Sequence, residues 1–335
     1  TSPTNIGLGM LAALTARDLG YIGTLELCDI ISRTMDTIEK MEKWNGHLYN
    51  WYDTRTLECL RPRYISTVDS GNFVCYLITL KEGLTEYLNR PLEDRAFIDG
   101  IRDTASLIAN ETENPYRDVS CLEKCIVNAE NKSYVDIPCM MKALTELSEN
   151  AEKIKDSKDV WKAKVDSMIE MLKIELYTYM PWCDMTKELS EAFENSEANI
   201  KESFEGIIKK LNSNFSLKAM PAVYRESIRE IEKLKKKIKD GQKNADVLNR
   251  LKEALEGAAE NADKLVKRYE DLIDRIIKIA DETEFAHLYD RKKQLFSIGY
   301  NIEENALTNS YYDLLASEAR QTSYIAIARG EVDQQ

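Results

Sequence analysis

Glu318 stands where a carboxylate can do acid–base work. In a helix starting at Ser310 it shares one stripe with Tyr311, Leu315, Thr322 and Ile325, so it emerges from a mostly apolar, aromatic face. Partial removal from water favours the protonated carboxyl and suits a general acid. The competing reading is a surface glutamate paired with its neighbours Arg320 or Gln321. Two further runs, Asn50-Trp51-Tyr52-Asp53 and Asp69-Ser70-Gly71-Asn72, mix flat rings with carboxylate and amide groups. Proteins hold sugars with such groups, a ring against the apolar face and Asp or Asn on the hydroxyls. Equally, Asp69 or Ser70 caps a helix beginning there and Trp51 belongs to the core.

Other chemistries find little support. The two histidines, His47 and His287, are far apart in sequence, and the one close thiol pair, Cys121 and Cys125, has no second pair or histidine beside it. Two thiols on one helix face explain that spacing, so no metal is expected. No GxGxxG or GxxxxGK[ST] run is present, and no cofactor is expected. The 7 cysteines are odd in number and scattered, as a reducing compartment permits, and read as reduced thiols. With 46 Lys and Arg against 58 Asp and Glu, the net charge of -12 leaves no basic field for a phosphate backbone, so nucleic acid is not a partner. No apolar run approaches the roughly 18 to 20 residues of a spanning helix, and no signal peptide opens the chain. Any membrane link is expected outside this sequence.

The elements that must position these residues fall into three stretches of the 335-residue chain, 1–90, 91–284 and 285–335. In the first, Ile6, Met10, Leu11 and Leu14 predict a helix over 5–18 that Gly20 closes, and Leu27, Ile30, Ile31, Met35, Ile38 and Met41 predict a second over 24–44. Aromatic and β-branched residues among turn formers over 46–67 predict an irregular β-hairpin, followed by a helix over 70–88. The second stretch is helical and charged. Its strongest signal is the unbroken alternation of three and four from Leu248 through Leu255, Ala262, Tyr269 and Ile276 to Ile279. A matching seam, Tyr224, Ile228, Ile231, Leu234 and Ile238, and a break at Asp240-Gly241 predict a long antiparallel helical hairpin over about 224–280. It reads either as two helices packed on each other or as an arm for a partner. In the third stretch, 295–300 predicts a short strand, Glu303-Glu304-Asn305 its turn, and Ser310 with Asp313 a capping box opening the last helix. The lack of an initial Met suggests a segment of something longer.

Three long runs carry a resemblance: TSPTNIGLGMLAALTARDLGYIGTLEL, GHLYNWYDTRTLECLRPRYISTVDSGN and LFSIGYNIEENALTNSYYDLLASEAR. They resemble the central region of bacterial cyclic β-1,2-glucan synthases over about 1–90 and 285–335, whereas 91–284 resembles the family only in being helical. In that family a membrane-embedded glycosyltransferase elongates β-1,2-glucan, a central (α/α)6-barrel domain cyclises it by transglycosylation, and a phosphorylase-like domain follows. The resemblance implies a mainly α chain, the first part of such a barrel, with a small β-hairpin element and a long helical-hairpin insertion.

It also implies roles. Glu318 matches the family's catalytic glutamate, the acid/base that protonates the leaving glycosidic oxygen and then deprotonates the attacking hydroxyl. Asn50, Trp51, Tyr52, Asp53, Asp69, Ser70, Asn72, Tyr311, Tyr312 and Asp313 would line glucose subsites. The implied partners are β-1,2-glucan and other domains of one larger polypeptide, on the cytoplasmic side of an inner-membrane enzyme. Retention requires a second carboxylate about 5 to 5.5 Å from the first, and the family places it beyond the position of Gln335, so the barrel here is expected to be incomplete. Beside this transglycosylase reading stand a non-catalytic scaffold of a glucan synthase and a β-1,2-glucan hydrolase, which differs in letting water attack.

Overall fold

Apolar spacings of three and four become helices in the computed structural model, which describes residues 1–108, 114–116, 118–129, 132–152, 159–238, 243–312 and 318–334. The chain begins with α1 (Pro3–Asp18), α2 (Thr24–Lys40), β1 (Lys43–Trp44), β2 (His47–Leu48), β3 (Tyr64–Ser66) and α3 (Thr67–Asn89). There follow α4 (Arg95–Ala105), α5 (Ser120–Glu123), β4 (Ile126–Ala129), β5 (Lys132–Val135), α6 (Ile137–Glu152) and α7 (Val160–Tyr179). Next come α8 (Trp182–Phe193), α9 (Ala198–Leu211), α10 (Met220–Lys235) and α11 (Lys243–Asp281). The chain closes with β6 (Tyr289–Asp290), β7 (Leu295–Phe296), β8 (Gly299–Asn301), β9 (Ala306–Leu307) and α12 (Ala319–Ala328). It is mainly helical with a few small sheets. Two compact units divide it, one of Thr1–Thr15, Leu27–Glu86 and Tyr269–Gln335, the other of Ala16–Glu26 and Tyr87–Arg268.

In the first unit Met10 and Leu14 of α1, Leu27, Ile31, Met35 and Ile38 of α2, and Phe73, Leu77, Leu80 and Leu84 of α3 are buried. The second helix ends four residues earlier than the spacing predicts. Asn45 and Gly46 both take positive φ, 46° and 80°, and turn the chain into the two-residue β1–β2 hairpin. An Asn-Gly pair between short strands is the strongest local turn signal, and it outweighs the helical pattern that runs into Trp44. A side chain at position 46 would also meet the Glu282 carbonyl oxygen at 1.9 Å. The hairpin predicted over 46–67 is instead shared between distant segments. β3 pairs antiparallel with β8, and β8 with β9, so Tyr64 faces Asn301 and Ser66 faces Gly299 in register.

In the second unit α10 and α11 run antiparallel, since Arg225 pairs with Asp263, Glu232 with Lys252 and Lys235 with Asn249. The predicted break at Asp240-Gly241 lies outside the described residues. Leu248, Leu251, Leu255, Ala258, Ala262 and Leu265 of the seam are all buried. Tyr224 packs edge-on against Trp182 at 5.3 Å and donates to the Tyr179 carbonyl at 2.7 Å. α11 also meets α7 and α8, through Asn261 on the Thr178 carbonyl and Arg250 on Glu188. Those contacts bury these seam residues within this unit.

Candidate functional site

α3 starts where Ser66 accepts the Asp69 N–H at 3.2 Å, a side-chain cap three residues upstream. Asp69 and Ser70 therefore sit in the first turn instead of capping it. One turn of α3 carries Asp69, Ser70 and Asn72, and Asn72 is only 2% exposed. Its Nδ2 donates to Glu318 Oε2 at 2.8 Å across 246 residues of sequence. The same amide lies 3.5 Å from Thr4 Oγ1, which donates to Asp69 Oδ1 at 2.7 Å. An ordered run from Asp69 through Thr4 and Asn72 thus ends on the Glu318 carboxylate.

The surroundings of Glu318 differ from expectation. Tyr311 makes an isolated antiparallel bridge with Ser297, so the last helix begins at Ala319 and not at Ser310. Asp313 and Leu315 lie outside the described residues. Glu318 is exposed just ahead of α12, whereas the sequence pattern placed it on an apolar face. What holds it is the Asn72 amide.

Gly71 explains how α3 and α12 approach closely enough for that contact. A Cβ there would stand 1.9 Å from Thr322 Oγ1 and 2.9 Å from Thr322 Cβ. Thr322 is fully buried and donates to the Thr67 carbonyl at 3.0 Å, while Thr67 Oγ1 donates to the Ser297 carbonyl at 2.7 Å. We expect Gly71→Ala to lower the unfolding free energy by about 1–3 kcal/mol through overpacking. Because the nearest obstacle is the hydroxyl, adding Thr322→Ala should recover part of that loss, and urea unfolding of the single and double variants measures both.

The aromatic candidates separate into two groups. Trp51 is 44% exposed and stacks on Tyr64 with ring centroids 6.5 Å apart. Burial raises the pKa of the Tyr64 phenol, and that of Tyr312, on which Tyr64 and the Asp69 carboxylate also act. Burial followed by the Glu318 carboxylate raises Tyr76. Trp51, Tyr64, Tyr312, Asp69 and Glu318 are therefore linked neighbour to neighbour. Tyr52, by contrast, is 2% exposed and donates to the Glu42 carbonyl at 2.6 Å, so its hydroxyl holds a loop. Asp53 accepts the Arg55 and Thr56 N–H groups at 2.8 and 3.1 Å, which lowers its pKa and fixes a turn. Tyr311 donates to Asp290 at 2.6 Å beneath the Lys293 ammonium. Asn50 Oδ1 and Ser70 Oγ are buried acceptors with no hydrogen-bond partner among the described residues.

Thr4, Tyr64 and Tyr76 escaped the sequence reading. Each is an ordinary helix or strand residue by local pattern, and only the irregular β-hairpin expected over 46–67 hinted at Tyr64. His47 and His287, distant in sequence, both flank the Trp44 ring, at 6.2 and 5.7 Å. His47 is buried, bonded to the Glu284 carbonyl at 2.9 Å, and desolvation pushes its pKa down to about 4. Among the described residues no group of three or more His, Cys, Asp or Glu could hold a metal ion. No helix among them is long and apolar enough to cross a membrane.

No protein-family model matches the chain. Over 340 aligned residues, covering 99% of the chain, it is 29% identical to the cyclic beta-(1,2)-glucan synthase NdvB of Rhizobium meliloti (strain 1021). It spans 10% of the length of that protein. The likeness to that synthase is sustained along essentially the whole chain, so it reaches the helical stretch 91–284 as well as 1–90 and 285–335.

Proposed function

We infer that the chain forms part of the transglycosylating domain of a cyclic β-1,2-glucan synthase and binds linear β-1,2-glucan beside Glu318. The observation that carries this reading is the 2.8 Å bond from Asn72 to Glu318, because it joins two otherwise remote polar runs at one carboxylate. Glu318 is the acid/base: its proton goes to the glycosidic oxygen as the bond to the anomeric carbon breaks, and the carboxylate later takes the proton of the attacking sugar hydroxyl. Asn72 fixes one carboxylate oxygen and leaves the other to face the substrate. Trp51 and Tyr64 offer ring surface for glucose units, and Tyr312 and Asp69 offer hydroxyl partners.

Retention needs a second carboxylate as nucleophile, and we place it in the part of the longer relative that this chain does not span, together with the helices that complete an (α/α)6 barrel. Other domains of the same polypeptide are then its neighbours. The test is incubation of the purified chain with linear β-1,2-glucan, with products followed by mass spectrometry and binding by titration on the same sample. Cyclic products, which lack one water, or redistributed chain lengths support transfer. Glucan that binds unchanged supports a site shared with the rest of the protein. Shortened chains alone would move the assignment to hydrolysis, and absence of binding would overturn it.

A further inference from the structure

The β4–β5 hairpin stands between two cysteines that its backbone brings together. Cys125 follows α5 and Cys139 lies in the first turn of α6. The strands pair with Ile126 opposite Val135, and the Asp136 N–H donates to the Cys125 carbonyl at 2.8 Å, so the two ends of the hairpin close on each other. Asp136 Oδ1 in turn accepts the Cys139 N–H at 3.0 Å and sets the start of α6. At that closure Cys125 Sγ and Cys139 Sγ stand 2.6 Å apart, near the roughly 2.05 Å of a sulfur–sulfur bond. Cys121 is the third thiol nearby, but it is the Cys121 carbonyl that Cys125 Sγ meets, at 3.3 Å.

We propose that Cys125 and Cys139 are an oxidation site: a small-molecule disulfide such as oxidised glutathione converts them to a disulfide that clips the base of the β4–β5 hairpin to α6. Cys125 is fully buried and Cys139 half-buried, so Cys139 is the thiol that meets the reagent. Its thiolate attacks oxidised glutathione, a mixed disulfide forms on Cys139, and one glutathione thiolate leaves. Cys125 then gives up its proton, attacks Cys139 Sγ and expels the second glutathione thiolate. Two protein thiols are oxidised, one glutathione disulfide is reduced to two glutathione thiols, and the two protons end there. Burial, with Cys139 next to it, holds the Cys125 thiol protonated well beyond the ordinary range, so Cys125 does not start the exchange. Contact between the sulfurs favours the second step. In a reducing compartment the pair stands as thiols.

The experiment takes the native chain through glutathione buffers of rising oxidised fraction, followed by acid quench, alkylation, intact mass and tryptic mapping. Cleavage after Lys124, Lys132 and Lys142 puts Cys121, Cys125 and Cys139 on separate peptides. The expected result is loss of the mass of two hydrogen atoms, a cross-link between the Cys125 and Cys139 peptides, and an alkylated Cys121. Cys139→Ser should abolish the cross-link and Cys121→Ser should leave it intact. A glutathione adduct that persists on Cys139, a cross-link to Cys121, or no cross-link where Cys121 is already glutathionylated would overturn the proposal.

Discussion

Glu318→Gln should lower the rate of glucan transfer by about 10²–10⁴-fold in the full-length protein, with linear β-1,2-glucan bound about as tightly as before. Gln keeps the size of the side chain, and its amide oxygen still accepts from Asn72 Nδ2, so the contact that fixes position 318 survives. What disappears is the exchangeable proton. Because Glu318 is exposed, its replacement leaves no buried cavity and should change stability little. The check pairs product formation with a binding titration and a denaturation curve on the same variant. Transfer at the parent rate would remove Glu318 from the chemistry. A large loss of stability would make it a structural residue.

The fold was legible in the sequence wherever one local pattern stood alone. The helices that bury Met10 and Leu14, then Ile31 and Met35, and the seam from Leu248 to Leu265 follow from periodicity, because a helix with one apolar stripe has few other ways to bury it. The last helix was not legible in the same way. Tyr311 fits its stripe but pairs with Ser297, a partner supplied by a β-segment that no local window contains. The β3–β8 pairing failed for the same reason, since Tyr64 and Asn301 are brought together only by the tertiary fold. At the candidate site Glu318, Asn72 and Asp69 could be picked out by residue type. Thr4, which connects them, could not, because a threonine near a helix start ordinarily reads as a cap.

Arg17→Met should cost the second unit about 3–5 kcal/mol, the usual penalty for removing one partner from a buried charge cluster. Arg17 is fully buried between the Tyr87 and Phe97 rings, 4.9 and 4.2 Å from their centroids. Its Nε donates to Thr24 Oγ1 at 2.8 Å, its Nη2 to the Leu92 carbonyl at 3.0 Å, and its Nη1 lies 3.5 Å from Asp94. Methionine fills the space between the rings but leaves those acceptors and the nearby carboxylates without their cation. Glu93 and Glu175 are both buried there, and Glu175 accepts the Leu25 N–H at 2.8 Å. Burial, and then the Glu175 carboxylate, raise Glu93 well above its ordinary 4.5, while Arg17 opposes that rise. The folded state therefore holds a proton that the unfolded chain releases. Its stabilisation is complete below about pH 4.5 and is lost as pH rises through the folded value, because there the unfolded state binds fewer protons. Arg17→Met should steepen that loss, since Glu93 then holds its proton more strongly. Glu93→Gln, a permanent stand-in for the protonated carboxyl, should flatten it and make the unit more stable at neutral pH. Urea unfolding between pH 4 and pH 8 on the three proteins separates the cases, and an unchanged pH slope in Glu93→Gln would move the proton from Glu93 to Glu175, which burial also raises.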